Sequence, residues 1–363
     1  MELTFSAEHL AHIDRQLKLL ADGRVTHAGD PRMWEIDYNE ALVYLSVGRF
    51  TEGWDLFASR FSLPDAKFSY DHFPVDRWDG GSLQGKNVFV WLEQGIGDQI
   101  MCASMLKELQ QAVTPGSVTL LCDRVLYKTF TRAFPGIAIH RTGGYLSQRL
   151  EAWDFDCQLS LADLGKMFRN SWADFPGRPY LVPNPAKVAE YRAKYKTGKK
   201  LCGVAWCSIS KTTGPEKSMT LIDMAPILKR DDFTFLDMQY GDHIPELKAA
   251  WSAGLNIMHD KSVDQLCDMD DFIAQVAAMD VVITTSQTLA HVAGAVGVPT
   301  YVLLPLGKGR LWYWFAEVSE CPWYHAVTLL RQKVLGDWTA PIEAAGAVLD
   351  GIIAHKEPTC LTA

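Results

Sequence analysis

The stretch that decides the fold reads Val281-Val-Ile-Thr-Thr-Ser-Gln-Thr-Leu-Ala-His-Val-Ala-Gly-Ala-Val-Gly-Val-Pro-Thr-Tyr-Val-Leu-Leu-Pro305. Its first residues are apolar and β-branched, which predicts a strand buried on both faces of a parallel sheet. Gly297 and Pro299 predict the end of a short helix, and 301–304 predicts a second buried strand. The stretch therefore predicts two parallel strands joined by one helix, the repeating unit of an α/β fold.

Small polar side chains lie between the first strand and the helix of this stretch. They are Thr285, Ser286, Gln287 and Thr288. At the start of a helix, hydroxyl groups and free backbone N–H groups converge on whatever lies there, and the arrangement favours an anion. We therefore predict a phosphate-binding turn. The alternative is ordinary helix capping, which Thr and Ser provide in many proteins.

Length and composition limit the class of protein. With 363 residues, 48% of them hydrophobic, the chain is long enough for two domains. The sequence has no apolar run of about 18 residues and no signal-like N-terminus, so we expect a cytoplasmic protein without a transmembrane segment. The eight cysteines are scattered without a Cys-x-x-Cys pair, which disfavours a disulfide framework or a zinc site. The formal net charge of −8 disfavours nucleic acid as a partner.

Residues 1–63 predict a helical segment instead of an α/β pattern. Ser6 predicts the start of one amphipathic helix and Gly23 its end. The apolar face of this helix repeats every three or four residues, at Leu10, Ile13, Leu17 and Leu20. Two further helices at 39–50 and 51–61, joined by a turn at Gly48, resemble a tetratricopeptide repeat. An ordinary helical hairpin is the alternative. Because a single repeat needs a neighbour, we expect the segment to pack against the domain that follows.

After a connector at 64–85, strands and helices alternate in two series. The first series, residues 86–195, has strand candidates at 88–92, 117–122, 137–140 and 157–161. The second series, residues 196–340, has strand candidates at 201–206, 233–239, 281–285 and 300–304. A helix and tail occupy 341–363. We therefore predict an α/β protein with two Rossmann-like domains after a helical segment.

The loop after the first predicted strand reads Glu93-Gln-Gly-Ile-Gly-Asp98. Its glycines begin a dinucleotide-binding fingerprint, but the third glycine position is Ile100, and Asp98 stands where a pyrophosphate would rest. An NAD(P)-dependent oxidoreductase is therefore a weaker alternative. A helix N-terminus holds a carboxylate ionised, so Asp98 is a candidate general base. The alternative is that Asp98 only caps the helix.

Four motifs together resemble one family of enzymes. They are Arg77-Trp-Asp-Gly-Gly-Ser-Leu-Gln-Gly-Lys86, Glu93 to Asp98, Thr285 to Pro299, and Cys321-Pro-Trp-Tyr324 with Gly336-Asp-Trp338. In this order they resemble the bacterial tetratricopeptide-linked glycosyltransferases, which are similar to the family 9 heptosyltransferases and more distantly to O-GlcNAc transferases. The resemblance covers nearly the whole chain. It implies a GT-B fold, in which the first of two Rossmann-like domains facing a cleft holds the acceptor and the second the nucleotide-sugar donor. It also implies transfer without a metal or another cofactor.

The resemblance implies roles for individual residues. Asp98 occupies the position of the base that removes the proton from the acceptor hydroxyl. Lys217 matches a lysine that neutralises the donor phosphate, with a solvated loop lysine as the alternative. The acceptor-side residues implied are Glu93, Gln94, Gly95 and Gly97. The donor-side residues implied are Thr285, Ser286, Gln287, Thr288, His291, Lys308 and Arg310. For His291, the alternative is a packed core histidine.

One departure from the family pattern concerns the donor side. Heptosyltransferases usually carry Asp-Thr-Gly where this chain has Ser286, Gln287 and Thr288. The missing acid leaves the nucleobase and the ribose contacts open, and a lipid A core acceptor is not implied. The repeat-like segment favours a protein acceptor, and a glycan acceptor stays open.

The leading hypothesis is a metal-independent glycosyltransferase that moves a sugar from a nucleotide-sugar donor to a hydroxyl. The alternative from another class is a noncatalytic adaptor that binds a nucleotide-sugar. The sugar, the stereochemical outcome and the oligomeric state are left open by the sequence.

Overall fold

The computed structural model describes residues 5–26, 30, 33–62, 74–142 and 154–354, apart from the side chain of Lys308. The chain divides into two compact units, Met1–Val182 with Leu311–Val318 and Pro183–Arg310 with Ser319–Ala363. The domain limits expected from the sequence stay predictions. None of the described helices is long and apolar enough to cross a membrane.

The first unit begins with three helices, Ala7–Thr26, Met33–Ser46 and Phe50–Phe57. Ser6 caps the first helix, since its Oγ accepts a hydrogen bond from the N–H of His9 at 3.1 Å. The predicted end at Gly23 is wrong, because the helix continues past this glycine, which lies close to the side chain of Ile36 in the second helix.

The predicted apolar face of the first helix is also partly wrong. Leu10 is 45% exposed, whereas Ile13 is buried. Ile13 and Leu17 pack against Val43 and Val47, so the contact with the second helix selects a face that leaves Leu10 outside.

The second and third helices form a hairpin that packs against the rest of the first unit. Gly48 lies in the turn with a φ of +77°, a left-handed conformation that favours glycine. Trp54 of the third helix donates a hydrogen bond from Nε1 to the carbonyl of Arg169 at 2.8 Å. The helical segment therefore contacts the α/β part of its own unit, as expected. Its identity as a tetratricopeptide repeat stays a prediction.

A parallel four-stranded sheet forms the α/β part of the first unit, in the order β3-β2-β1-β4. The strands are β1 Asn87–Trp91, β2 Ser117–Cys122, β3 Ala138–Arg141 and β4 Cys157–Ser160. The helices are Ile96–Ala103, Leu106–Val113, Tyr127–Ala133 and Leu164–Phe168. Part of the expected connector joins this sheet, because Trp78 donates its N–H to the carbonyl of Gln158 in β4 at 2.8 Å.

A parallel six-stranded sheet forms the centre of the second unit, in the order β10-β9-β8-β5-β6-β7. The strands are β5 Lys200–Ala205, β6 Phe233–Asp237, β7 Ile257–Met258, β8 Val281–Thr285, β9 Thr300–Leu304 and β10 Val327–Arg331. The helices are Pro185–Lys194, Gly214–Lys217, Ala225–Leu228, Ile244–Ser252, Met269–Ala277, Thr288–Val296 and Thr339–Ala354. The tail expected after the last helix lies outside the described residues.

The strand–helix–strand unit predicted from 281–305 is confirmed. β8 and β9 are parallel neighbours, with Val282 opposite Thr300. The helix between them ends at Gly297, which has a φ of +84°. Because all the described strand pairs of this sheet are parallel, the side chains that follow the strands meet at one edge.

Gly294 allows this helix to lie directly on Tyr324. A Cβ atom at Gly294 would lie 2.5 Å from the Cγ atom of the Tyr324 ring. We expect Gly294→Ala to destabilise the protein by about 1–3 kcal/mol, because the ring must move out of a packed site. Gly346→Ala is the matched control, since its Cβ would meet nothing within 4 Å. In a helix it should stabilise by up to about 1 kcal/mol. Thermal unfolding checks both, and equal effects of the two changes would contradict the packing argument.

Candidate functional site

The polar turn of the second unit follows the carboxyl end of β8. Thr285, Ser286 and Gln287 are all buried, and Gln287 is the N-cap residue of the helix Thr288–Val296. Its side chain does not cap the helix. Within the described residues, the hydroxyl of Thr285 and the side-chain oxygen of Gln287 are buried without a hydrogen-bond partner. Buried polar atoms normally have partners, so these two atoms suggest a place where a ligand binds.

Lys217 is only 6% exposed and belongs to the same unit as this turn. It ends the short helix Gly214–Lys217, whose first residue lies close to the preceding loop. A Cβ atom at Gly214 would lie 2.4 Å from the carbonyl oxygen of Ser208, so only glycine fits there. The charge of Lys217 acts on His291 of the helix Thr288–Val296. The predicted cation and the predicted turn therefore belong to one unit, and the charge of Lys217 reaches the helix that the turn precedes.

His291 is a packed histidine, 2% exposed, with its Nδ1 atom 3.0 Å from the Oη atom of Tyr324. Burial, aided by the nearby Lys217 ammonium, lowers the pKa of His291 to about 3. The ring is therefore neutral near pH 7. This environment matches the core-histidine alternative, and contact with a nucleotide stays a prediction.

The lowered pKa of His291 predicts acid sensitivity. The unfolded chain takes up this proton below its ordinary pKa of 6.5, whereas the native protein does so only near 3. The contribution to stability is therefore complete above pH 6.5 and falls as the pH drops, by about 1.4 kcal/mol per pH unit. We expect the melting temperature to fall less between about pH 7 and about pH 5 in His291→Asn than in the wild type. Exposed His325 gives the control variant His325→Asn, and a wild-type acid response in His291→Asn would contradict the assignment.

Arg310 follows a short helical turn, Gly307–Gly309, that contacts the segment of Lys217. The N–H of Gly309 donates to the carboxylate of Glu216 at 2.6 Å, next to Lys217 in the chain. Arg310 is half-buried. Lys308 lies in the same turn, but its side chain is outside the described part of the structure. Arg310 therefore stays a donor-side candidate by position.

A cavity of about 720 Å³ lies in the second unit, around the residues that follow β6 and β7. Gln239 lines the cavity and connects it to the turn. Its Oε1 atom accepts the N–H of Trp206 and of Cys207, each at 3.0 Å, and lies 3.4 Å from Nε2 of Gln287. Gln239 is not among the residues predicted from the sequence, although a polar residue just beyond a buried parallel strand is a usable signal.

Asp98 of the first unit lies in the first turn of the helix Ile96–Ala103, which begins after Gly95 as N-cap. Asp98 is therefore not the N-cap residue, because the helix starts three residues earlier than that role requires. Asp98 is half-buried, and its Oδ2 atom would lie 3.2 Å from a Cβ atom built on Gly95. The Asp98 carboxylate therefore lies close to the backbone of Gly95, which has no side chain to block this approach.

Gln94 has a φ of +67°, a strained backbone conformation for a non-glycine residue. It forms a hydrogen bond with Tyr38 of the helical segment. Burial raises the pKa of Tyr38, and the hydrogen bond with Gln94 offsets part of this rise. Strain of this kind persists where the surrounding structure fixes it, and it is concentrated at functional sites.

Glu93, at the start of this loop, forms an ion pair with Arg60. Arg60, 2% exposed, donates from Nε to both carboxylate oxygens at 2.9 and 3.0 Å. Ser160 also donates to Glu93, and Asp163 accepts from Arg60 at 2.8 Å. Burial lowers the pKa of Arg60, but the two carboxylates outweigh it and raise the pKa above its ordinary value. Glu93 therefore positions the loop.

The two glycines of the loop differ in exposure, and aromatic side chains line a cavity next to the loop. Gly95 is exposed and Gly97 is buried. Asp98 and Gln94 line a cavity of the first unit together with Trp54, Phe57 and Trp312. The rings of Trp54 and Trp312 meet edge to face, 5.5 Å apart. No sequence pattern indicated that Trp54 and Phe57 of the helical segment line this cavity.

The chain is similar in sequence to a curated protein. No protein-family model matches the chain. It is 32% identical over 320 residues to Protein FlbA of Caulobacter vibrioides, covering 84% of this chain and 53% of FlbA. The chain thus spans about half the length of this curated relative.

Two solved structures have a similar fold. The family 9 glycosyl transferase of Veillonella parvula is similar with a TM-score of 0.56 at 12% identity. The matched region covers 76% of this chain and 100% of the Veillonella chain. The ADP-heptose LPS heptosyltransferase II of E. coli has a TM-score of 0.52 at 13% identity and covers 74% of this chain and 99% of its own. The α/β fold with parallel sheets is therefore that of the family 9 glycosyltransferases.

Proposed function

We propose that this protein is a glycosyltransferase that moves a sugar from a nucleoside-diphosphate donor to a hydroxyl acceptor. The observations that carry the proposal are a buried Lys217, whose charge acts on His291 of the helix Thr288–Val296, and two buried side-chain oxygens before that helix, of Thr285 and Gln287, that have no hydrogen-bond partner among the described residues. A buried ammonium, a helix N-terminus and hydroxyl groups form a site suited to a diphosphate.

The donor would lie with its diphosphate on the turn and its nucleoside in the neighbouring cavity. Gln239 connects the two places, and the cavity volume of about 720 Å³ is within the usual range for a ligand of this size. As the glycosidic bond breaks, negative charge grows on the leaving diphosphate. Lys217 and the helix N-terminus would stabilise that charge more in the transition state than in the ground state. This mechanism requires no metal.

The acceptor would bind at the loop 93–98, with Asp98 as the general base that takes the hydroxyl proton. The ion pair between Glu93 and Arg60 holds the loop in place. Trp54 and Trp312 line the same cavity as Asp98 and offer aromatic surface to an acceptor. Since Trp54 comes from the helical segment, we propose that this segment helps to select the acceptor, for which a protein is the favoured class.

The solved structures of similar fold support the proposal. One structure with a similar fold is described as a family 9 glycosyl transferase, and another acts with ADP-heptose. Fold alone does not define chemistry, so the proposal depends on the residues of the two units.

A panel of nucleotides tests the proposal on the wild-type protein. Thermal shift with UDP, GDP, CDP, ADP and NAD should show one nucleoside diphosphate that raises the melting temperature, by about 2.7 kcal/mol of added stability at 100-fold excess over its Kd. Stabilisation by NAD and by none of the diphosphates would instead support the oxidoreductase alternative.

A further inference from the structure

Asp237, His243 and His259 of the second unit form a compact cluster of polar side chains. The Oδ2 atom of Asp237 lies 2.7 Å from Nε2 of His243 and 2.6 Å from Nδ1 of His259. The three atoms that could bind a metal ion, one from each side chain, lie within 4.8 Å of one another. The side chains are largely buried, with exposures of 1%, 10% and 16% respectively.

Neighbouring backbone groups fix the orientation of the cluster. The Nδ1 atom of His243 lies 2.7 Å from the carbonyl oxygen of Gly241, which can only accept a hydrogen bond. A neutral His243 therefore carries its proton on Nδ1 and turns the lone pair of Nε2 toward the carboxylate. The other carboxylate oxygen of Asp237 accepts the N–H of Gln239 at 2.9 Å. These contacts have the form of the outer hydrogen bonds that orient metal ligands in proteins.

A lone pair facing a carboxylate oxygen at 2.7 Å is repulsive unless a cation lies between or beside them. The cation can be a second proton on the ring or a metal ion. All three side chains line the cavity of about 720 Å³, so water or a ligand has room to complete a coordination shell.

We propose that Asp237, His243 and His259 bind one divalent transition-metal ion, of the class represented by Zn²⁺. Two imidazole nitrogens and one carboxylate oxygen suit Zn²⁺, Fe²⁺ and related ions, whereas Mg²⁺ and Ca²⁺ prefer oxygen ligands alone. Ligand atoms on a tetrahedral Zn²⁺ ion lie roughly 3.3 Å apart, since Zn–N bonds are about 2.0–2.1 Å. Each imidazole nitrogen therefore needs to lie about 0.6–0.7 Å farther from the Asp237 oxygen than it does, a small side-chain adjustment.

The ion would connect three segments that form the cavity wall. Asp237 ends β6, His243 precedes the helix Ile244–Ser252, and His259 directly follows β7. β7 is a short edge strand that pairs with β6 at only two positions, Phe235 with Ile257 and Leu236 with Met258. A metal bridge at this point holds the edge strand and the adjoining loops together. The inference does not depend on the proposed glycosyl transfer, which uses no step at this ion.

Metal binding by the full chain, purified without a histidine tag and stripped with EDTA, tests the inference. Titration with Co²⁺ should give visible d–d absorption that saturates at one ion per chain, and Zn²⁺ should displace it. His259→Gln and His243→Gln should each weaken Zn²⁺ binding by at least about 10-fold, because loss even of an outer partner costs 10- to 100-fold. The matched control is His325→Gln, which changes an exposed histidine of the same unit and should bind as the wild type does.

Each outcome of the titration decides the question. Absence of a saturable Co²⁺ band in the wild type would overturn the inference and leave a protonated His–Asp–His cluster. Equal weakening in His325→Gln and His259→Gln would overturn it as well, as would an equal rise of the melting temperature with Mg²⁺ and with Zn²⁺. If a cluster variant does not fold by circular dichroism, the wild-type Co²⁺ spectrum and its stoichiometry still decide.

Discussion

Asp98→Asn should lower sugar transfer by about 100- to 10,000-fold while nucleotide binding stays unchanged. The asparagine keeps the shape of the side chain but cannot take the proton of the acceptor hydroxyl. Transfer is measured as labelled sugar that moves from the nucleotide-sugar into an extract of cells lacking the protein. Nucleotide binding is measured by calorimetry on the same preparations.

Asp14→Asn provides the matched control, since Asp14 is an exposed carboxylate on the first helix. It should transfer sugar at the wild-type rate. Wild-type transfer by Asp98→Asn would remove Asp98 as the base. If the wild type binds a nucleotide-sugar but transfers no sugar under any condition, the result would contradict the enzyme hypothesis and support the adaptor alternative.

Lys217→Met should weaken binding of the nucleoside diphosphate by about 10- to 100-fold, because a charge-assisted hydrogen bond contributes about 1.5–3 kcal/mol. The rate of transfer should fall further, by about 100- to 1,000-fold in kcat, since the ammonium stabilises charge that grows in the transition state. Methionine preserves most of the volume of this buried side chain. Calorimetry measures the binding, and initial rates at saturating donor measure kcat.

Two further observations test the position of Lys217. Removal of its charge should raise the pKa of His291, which NMR titration of the ring can follow. Lys229→Met, which changes an exposed lysine of the same unit, should leave binding, rate and this pKa as they are in the wild type. Unchanged nucleotide binding in Lys217→Met would mean that Lys217 is a structural residue.

The sequence predicted the long, fully buried elements well and the short edge elements poorly. The stretch 281–305 was read correctly because apolar runs, a polar turn and Gly297 each have a local physical cause. β7 has only two residues, which is too short for a pattern, and β10 is partly exposed, so its burial pattern is interrupted. The region after the loop 93–98 forms two helices, Ile96–Ala103 and Leu106–Val113, and apolar spacing alone does not reveal the break between them.

The candidate site was only partly accessible from the sequence for a similar reason. The turn at 285–288 and Asp98 are local motifs that a single sequence can indicate, and their roles stay predictions. The ion pair of Arg60 with Glu93 joins residues 33 positions apart, and the contact of Trp54 with Arg169 spans 115. Asp237, His243 and His259 are also brought together only by the sheet. Such groupings depend on tertiary packing, which one sequence does not display.

A crystal structure with the nucleoside diphosphate that stabilises the protein most would test the central claim directly. The account predicts phosphate oxygens within hydrogen-bond distance of the N–H groups that begin the helix Thr288–Val296 and of the Lys217 Nζ atom. A diphosphate bound elsewhere, with this turn and Lys217 left to solvent, would contradict it.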